Sequence, residues 1–468
     1  MNIDAALTAI FGPYLATLIG FALALVLFAY MLRSHQRQSA SIAWFLFVVL
    51  LPFIGVPLYL LLAGRKLEKR AGQKQRLQGS TAHASVKLRG TAAKVENIMR
   101  SYDLFSASTG NRTELITSGE RAYIELMTQI GAATTSIHIT TFILGRDEVG
   151  RAIVKRLAQR ASEGIDVRLL VDALGSFTAR FVLLPELQRA GGKTGSFMRV
   201  LPFHRKSKAN LRNHRKIAIF DGQVAIAGGM NLAKEYMGER RAPQRWLDTT
   251  LKLQGPAVED LCAIFADDWE FATGEQVPRT AWRTDSLRDQ RIVQVVPSGP
   301  DVDLDALYDA IVVSMYRAAR RIWIVTPYFV PDDGLMRALS LQARLGADVR
   351  VILPVRSDHW VADMARGRFV RTLREAGVQF FVHRTRMVHA KHVLIDDAVA
   401  VSGSANLDMR SLYLNYELAL FCYDESSIAE TEQWIQSVLA QCSEYQPKQP
   451  TLLRRLSEDL CWLAAPLL

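Results

Sequence analysis

Two ten-residue stretches of this 468-residue chain carry the same ionisable groups at the same spacing. "NHRKIAIFDG" holds His214, Lys216 and Asp221, and "VHAKHVLIDD" holds His389, Lys391 and Asp396. Each is followed by a glycine turn ending in asparagine, "GGMN" (228–231) and "GSAN" (403–406). Imidazole can attack or move protons near neutral pH, lysine brings positive charge, and an amide donates to an anion. Two copies facing one pocket suit double displacement at a phosphodiester. One histidine attacks phosphorus in line, while the other protonates the leaving oxygen and later deprotonates the incoming alcohol. Lys216, Lys391, Asn231 and Asn406 would stabilise the charge, so this scheme requires neither metal nor other cofactor. On a strand, positions i and i+2 share a face, which would send each His and Lys into the same pocket.

Downstream of each motif lies a carboxylate suited to orienting an imidazole: Asp248 in "RWLDTTLKLQG" and Glu417 in "LNYELALF". The motif aspartates Asp221 and Asp396 stand beside turns ("FDGQ", "IDDA"), where catalysis competes with turn stabilisation and structural ion pairing. His383, His389 and His392 lack the partner carboxylates or cysteines of a zinc site. Cys262, Cys422, Cys442 and Cys461 are scattered and expected to be reduced or inert.

The elements that must position these groups also occur twice. "SIHITTFIL" (136–144), "GRAIVKRLAQRASEG" (150–164) and "DVRLLVDALGS" (166–176) read as strand, amphipathic helix, then strand and turn. "RIWIVTPYFVP" (321–331), "GLMRALSLQARLG" (334–346) and "DVRVILP" (348–354) repeat that order before the second motif. His214 and His389, Lys216 and Lys391, Asp221 and Asp396, Gly228 and Gly403, and Asn231 and Asn406 are all 175 positions apart. The soluble part is therefore expected to be α/β: two pseudo-symmetric lobes, 106–290 and 291–445, each a mixed sheet flanked by helices.

The N-terminus is of another kind. Tyr14 to Leu32 and Ile42 to Gly64 are uncharged apolar runs of 19 and 23 residues, each long enough to cross a bilayer. They predict a transmembrane hairpin within 1–65, its second span kinked or re-entrant at Pro52, Gly55 and Pro57. From Arg65 to Arg100 there are ten Lys/Arg against two Glu, so 66–105 is expected to be a basic linker along anionic headgroups, on the cytoplasmic side. The net charge of +11 also points to an anionic partner. Arg205, Lys206, Lys208 and Arg212 form either a headgroup site or a solvated loop. The tail, 446–468, contains "LLRRLSEDLCWLAAPLL", an interfacial amphipathic helix or one packed back on the second lobe.

The doubled H-x-K-x4-D with a trailing G-S-x-N resembles the phospholipase D superfamily. The hairpin, "GGMNLAKEYMG", "TPYFVPDD", "RMVHAKHVLIDD" and "SANLDMRSLYLNYE" are similar to its bacterial cardiolipin synthases. That resemblance implies a membrane-bound transferase moving a phosphatidyl group from one phosphatidylglycerol to another, with release of glycerol. It implies a multi-pass protein of the bacterial cytoplasmic (inner) membrane, with its lobes on the cytoplasmic side and no nucleic-acid partner. His214 would be the nucleophile and His389 the general acid/base, the reverse assignment staying open. Lys216, Lys391, Asn231, Asn406 and Ser404 would hold the phosphate. Gly229 stands where the pattern has serine, so Ser404 has no hydroxyl counterpart in the first lobe. A hydrolase using water, a synthase using phosphatidylethanolamine as donor, and a superfamily nuclease are the alternatives; the two apolar spans argue against the nuclease.

Overall fold

The chain divides into Met1–Gln73 and Lys74–Leu468. The computed structural model describes residues 86–198, 211–278, 289–302 and 305–464 except Lys448, together with Lys74, Leu77, Gly79 and Trp282. The expected hairpin, most of the basic linker, Arg205, Lys206, Lys208 and the Trp462 side chain lie outside the described residues. Among the described residues, no helix is long and apolar enough to cross a membrane.

Seventeen strands are present among the described residues. In the first lobe they are β1 (Ser108–Ile116), β2 (Ser136–Thr141), β3 (Asp166–Asp172), β4 (Lys193–Phe197), β5 (Ile217–Phe220), β6 (Val224–Gly228) and β7 (Thr250–Gln254). The second lobe holds β8 (Arg291–Ser298), β9 (Arg321–Val325), β10 (Phe329–Val330), β11 (Asp348–Pro354), β12 (Gln379–His383), β13 (His392–Ile395), β14 (Val399–Gly403), β15 (Leu407–Asp408), β16 (Glu417–Cys422) and β17 (Cys442–Glu444). From the centre outward, the first lobe runs β1-β7-β6-β5-β2-β3-β4 and the second β8-β16-β14-β13-β9-β11-β12-β17. The expected duplication is thus realised strand for strand, with β17 added at one edge and the short pair β10-β15 standing apart.

Each lobe holds the mixed set of strands expected of it, and β1 and β8 pair antiparallel across an irregular register and join the two sets into one 15-stranded sheet. Each lobe is mixed: β2, β3 and β4 are parallel, as are β9, β11 and β12, while the motif strands β5 and β13 run antiparallel to β2 and β9. Both motif strands are buried throughout (Ile217–Phe220, His392–Ile395), as strands covered on both faces must be.

Local chemistry sets the helix starts. Asp147 accepts from Val149 N and Gly150 N, so the helix expected at 150–164 begins at Glu148 and buries Ile153, Val154 and Leu157. Asp332 and Asp424 cap the helices Asp333–Arg344 and Glu425–Leu439 in the same way. The helix Ala257–Thr273 follows β7 and is buried along most of its length, Trp269 and Phe265 included, and it ends at Gly274 (φ 80°).

Two expectations for the flanks change. Gly90–Ser101, assigned to the basic linker, is a helix that buries Val95 and Met99 and packs on the helix Ala306–Tyr316. Lys74 does not lie along a headgroup layer: its ammonium is buried and paired with Asp268 and, at 2.6 Å, with Asp301. The tail helix Leu452–Ala464 packs on the helix Trp360–Glu375, with Glu458 buried against Arg371, while Leu452, Leu453 and Leu456 stay exposed. Cys262, Cys422, Cys442 and Cys461 are free thiols.

Candidate active site

His214 and Lys216 are not within a strand, as their i, i+2 spacing suggested; they precede β5, and His389 and Lys391 precede β13. Each pre-strand segment is held extended by the other lobe. His214 N donates to Tyr416 O (2.9 Å), and Tyr416 N to Arg212 O (2.9 Å). On the other side, His389 N and Ala390 N donate to Leu247 O (2.8 and 3.0 Å), and Leu247 N to Met387 O (2.8 Å). The two histidines therefore meet at the lobe junction, where both line one cavity of about 320 Å³.

The crossing continues through the side chains. Glu417, at the start of β16, sits with Oε2 2.9 Å from His214 Nδ1, and Asp248 sits with Oδ2 2.6 Å from His389 Nδ1. Each carboxylate follows its own lobe's motif in the chain but engages the other lobe's histidine. A carboxylate accepting from Nδ1–H leaves Nε2 of His214 to attack, while at His389 the Lys391 ammonium also stands 2.6 Å from Nδ1 and 3.2 Å from Nε2.

Burial drives the electrostatics. Desolvation pulls both imidazoles down to about 4, against the opposing pull of Glu417 on His214 and of Asp248 on His389. Burial would raise the two carboxyls. Instead Lys391 and His389 hold Asp248, and His214 and Lys216 hold Glu417, below the usual carboxylate range. Burial also lowers Lys391 to about 8 and Lys216 well below the usual ammonium range.

The other expected site residues divide. Asn231 and Asn406 line the cavity; Asn231 Oδ1 accepts from Ile143 N (3.0 Å), which turns its amide nitrogen toward Tyr236. Lys216 and Lys391 do not line it. They lie behind it, Lys216 Nζ donating to His214 O (2.6 Å) and Lys391 Nζ to His389 O. Ser404, expected at the phosphate, donates its hydroxyl to Glu417 Oε2 (2.5 Å) and so steadies the carboxylate that orients His214.

Of the two roles open to Asp221 and Asp396, the geometry supports turn stabilisation. Both adopt the left-handed region (φ 54° and 49°) at the far ends of β5 and β13 from the histidines. Asp221 accepts from Thr134 N, Thr135 N and Ser136 N, and Asp396 from Ala319 N, Arg320 N and Arg321 N, all at 2.7 to 3.1 Å. They tie the turns entering β2 and β9 and make no contact with an imidazole.

Spacing did not reveal the aromatic shell. The Phe142 ring meets His214 edge-on (5.0 Å between centroids), while Tyr236 and Trp246 flank His389 (5.0 and 5.2 Å). Arg212, at the end of the basic segment, is buried, lines the cavity and donates to Met198 O (3.2 Å). Arg215, the intervening residue of the first motif, points away into a buried network with Asp268 (2.8 Å), Asp301 (3.4 Å) and Ser298 O (3.1 Å). Ala390 occupies its place in the second motif, so no spacing rule marked it.

The family model described as "Cardiolipin synthase, PLD-like domain" matches residues 126–269 and 311–439, which contain both motifs. The chain belongs to the cardiolipin synthase family. A second model, "Phospholipase_D-nuclease N-terminal", matches 21–64. Cardiolipin synthase 1 of Bacillus cereus is 31% identical over 93% of this chain and 90% of its own length. Cardiolipin synthase 2 of the same organism is 32% identical over 93% and 88%, and the Geobacillus kaustophilus cardiolipin synthase 30% identical over 93% and 90%. Among solved structures, phosphatidylserine synthase from Haemophilus influenzae Rd KW20 superposes with a TM-score of 0.62, covering 80% of this chain and 100% of that one. At 14% identity that likeness shows the shared fold, the doubled α/β architecture expected of the phospholipase D superfamily.

Proposed function

We propose that this chain is a membrane-bound cardiolipin synthase that transfers a phosphatidyl group from one phosphatidylglycerol to the terminal hydroxyl of another and releases glycerol. The observation that carries this is the shared cavity lined by two imidazoles, each held at Nδ1 by a carboxylate of the opposite lobe. His214 Nε2 attacks phosphorus and forms a phosphohistidine, while His389, which enters this step protonated at both ring nitrogens and paired with Asp248, gives its Nε2 proton to the departing glycerol oxygen. His389 then takes the proton of the incoming hydroxyl, that oxygen displaces His214 from phosphorus, and the site returns to its first state. Asn231 and Asn406 offer donors to the phosphoryl oxygens as negative charge builds on them, and the two lysines behind the wall add positive charge. A phosphodiester is exchanged for a similar one, so the transfer is nearly thermoneutral and uses no nucleotide.

The two apolar runs before residue 65 support an anchor of two spans in the bacterial inner membrane, with the lobes on the cytoplasmic side. Exposed Leu174, Phe177 and Phe181 in one lobe and Trp360 in the other support a cavity mouth held against lipid. Membrane-bound donor and acceptor then meet the pocket at high effective concentration.

The test is incubation of the detergent-solubilised full chain with phosphatidylglycerol alone, in excess EDTA, with mass spectrometry of the products. Equal amounts of cardiolipin and glycerol are expected. Phosphatidic acid in place of cardiolipin would make the chain a hydrolase and overturn the proposal.

A further inference from the structure

One wall of the cavity presents a carboxylate at its exposed edge, whereas Asp408, the other carboxylate of the lining, is buried and caps the helix Met409–Tyr413. Asp358 and His359, just before the helix Trp360–Glu375, line that wall together with Tyr328, which follows β9. Tyr328 Oη donates to Asp358 Oδ1 (2.5 Å), and His359 Nε2 stands 3.9 Å from Oδ2. The His359 ring meets the edge of Tyr328 at 5.1 Å. Burial and the charge of Asp358 hold the Tyr328 hydroxyl protonated far above the neutral range, so it keeps its hydrogen and donates it to the carboxylate.

An ionised carboxylate accepts hydrogen bonds and donates none, and it repels phosphoryl oxygens. Asp358 therefore disfavours the anionic part of a phosphodiester and suits a group with hydrogens to give. With Oδ1 engaged by Tyr328, Oδ2 and the Tyr328 oxygen remain as two neighbouring acceptors. Asp358, His359 and Tyr328 line the same cavity as His389, which opens into it beside Tyr236.

We infer that Asp358 and Tyr328 form a subsite for the vicinal hydroxyls of a polyol headgroup, the glycerol of phosphatidylglycerol. The inference rests on the phosphatidyl-transfer proposal above. In an in-line exchange the leaving and the incoming alcohol occupy the same place, opposite the nucleophile, because the second half-reaction retraces the first. A subsite there holds both free hydroxyls of the departing glycerol; of the acceptor headgroup it holds the secondary hydroxyl alone, which leaves the terminal hydroxyl to give its proton to His389. A headgroup held here has its reacting oxygen tethered beside His389, which a water bound to the same acceptors has not, so the subsite favours transfer over hydrolysis.

The experiment uses the full chain in phosphatidylglycerol mixed micelles and compares wild type with Asp358→Asn, Asp358→Ala and Tyr328→Phe. Cardiolipin, phosphatidic acid and exchange with labelled free glycerol or ethanolamine are measured, with melting curves alongside. Asp358→Ala is expected to lower the cardiolipin to phosphatidic acid ratio by about tenfold or more, because a site built to bind a hydroxyl loses it. Glycerol exchange should fall in parallel, and Asp358→Asn and Tyr328→Phe should shift the ratio less, in the same direction. An unchanged ratio, with both products falling together, would overturn the subsite. So would a wild type that exchanges ethanolamine in preference to glycerol and loses that preference in Asp358→Ala. If the wild type makes neither cardiolipin nor glycerol, the transfer proposal itself falls; if it makes both and Asp358→Ala matches it, only the subsite falls.

Discussion

The Asp248 carboxylate lies where a side chain on Gly229 would be: a Cβ built there overlaps it, with Asp248 Cγ at 2.9 Å. In the second lobe the equivalent position is Ser404, whose hydroxyl bonds the longer Glu417 instead. The pairs Gly229 with Asp248 and Ser404 with Glu417 are thus two solutions for steadying a histidine-orienting carboxylate. Gly229→Ala should displace Asp248 from His389 and cut turnover by about one to two orders of magnitude, as loss of an orienting partner does. Steady-state transfer rates with melting curves check this; a wild-type rate would show that the close approach is dispensable.

The crossed pairing makes each carboxylate act on the opposite lobe's histidine. With His214 as nucleophile, Glu417→Gln should slow formation of the phosphohistidine, whereas Asp248→Asn should slow its discharge and let it accumulate. His214→Ala and His389→Ala should each abolish turnover while leaving fold and membrane association intact. Rapid-quench trapping of the labelled enzyme separates these cases. Accumulation in Glu417→Gln but not in Asp248→Asn would reverse the two histidine roles.

Asp221→Ala and Asp396→Ala should act on stability. Each leaves several backbone N–H groups without their acceptor, at a cost of about 1–3 kcal/mol. Turnover per folded molecule should stay within about threefold of wild type, since neither carboxylate touches an imidazole. Denaturant midpoints and active-site-normalised rates would decide. A loss of several orders of magnitude at unchanged stability would return both residues to the chemistry.

Acid should destabilise the fold in a definite window. His214, His389 and His392 are each lowered by burial from an ordinary 6.5 to about 4, so between those values the unfolded chain binds more protons than the folded one. Their contribution is fully present above about pH 6.5 and declines as pH falls toward 4. Melting temperatures across that range should drop, and the His214→Asn, His389→Asn double variant should show a shallower decline. An equal slope would mean that other groups carry the acid response.

Much of this molecule could be read from the chain itself. The 175-residue offset fixed the duplication, and the alternation of apolar patterns placed β2, β3, β9 and β11 within a few residues, because strand and helix periodicity is written in contiguous positions. The histidines and asparagines of the site were legible for the same reason. Only the tertiary structure decided which carboxylate serves which histidine, since those bonds join residues 203 and 141 positions apart and follow from how the lobes meet along β1 and β8. It also decided that Asp221 and Asp396 bind turn amides, that Ser404 serves Glu417, and that the lysines lie behind the cavity wall. Spacing states which residues travel together along a strand; what each side chain finds opposite it is settled by contacts between distant segments.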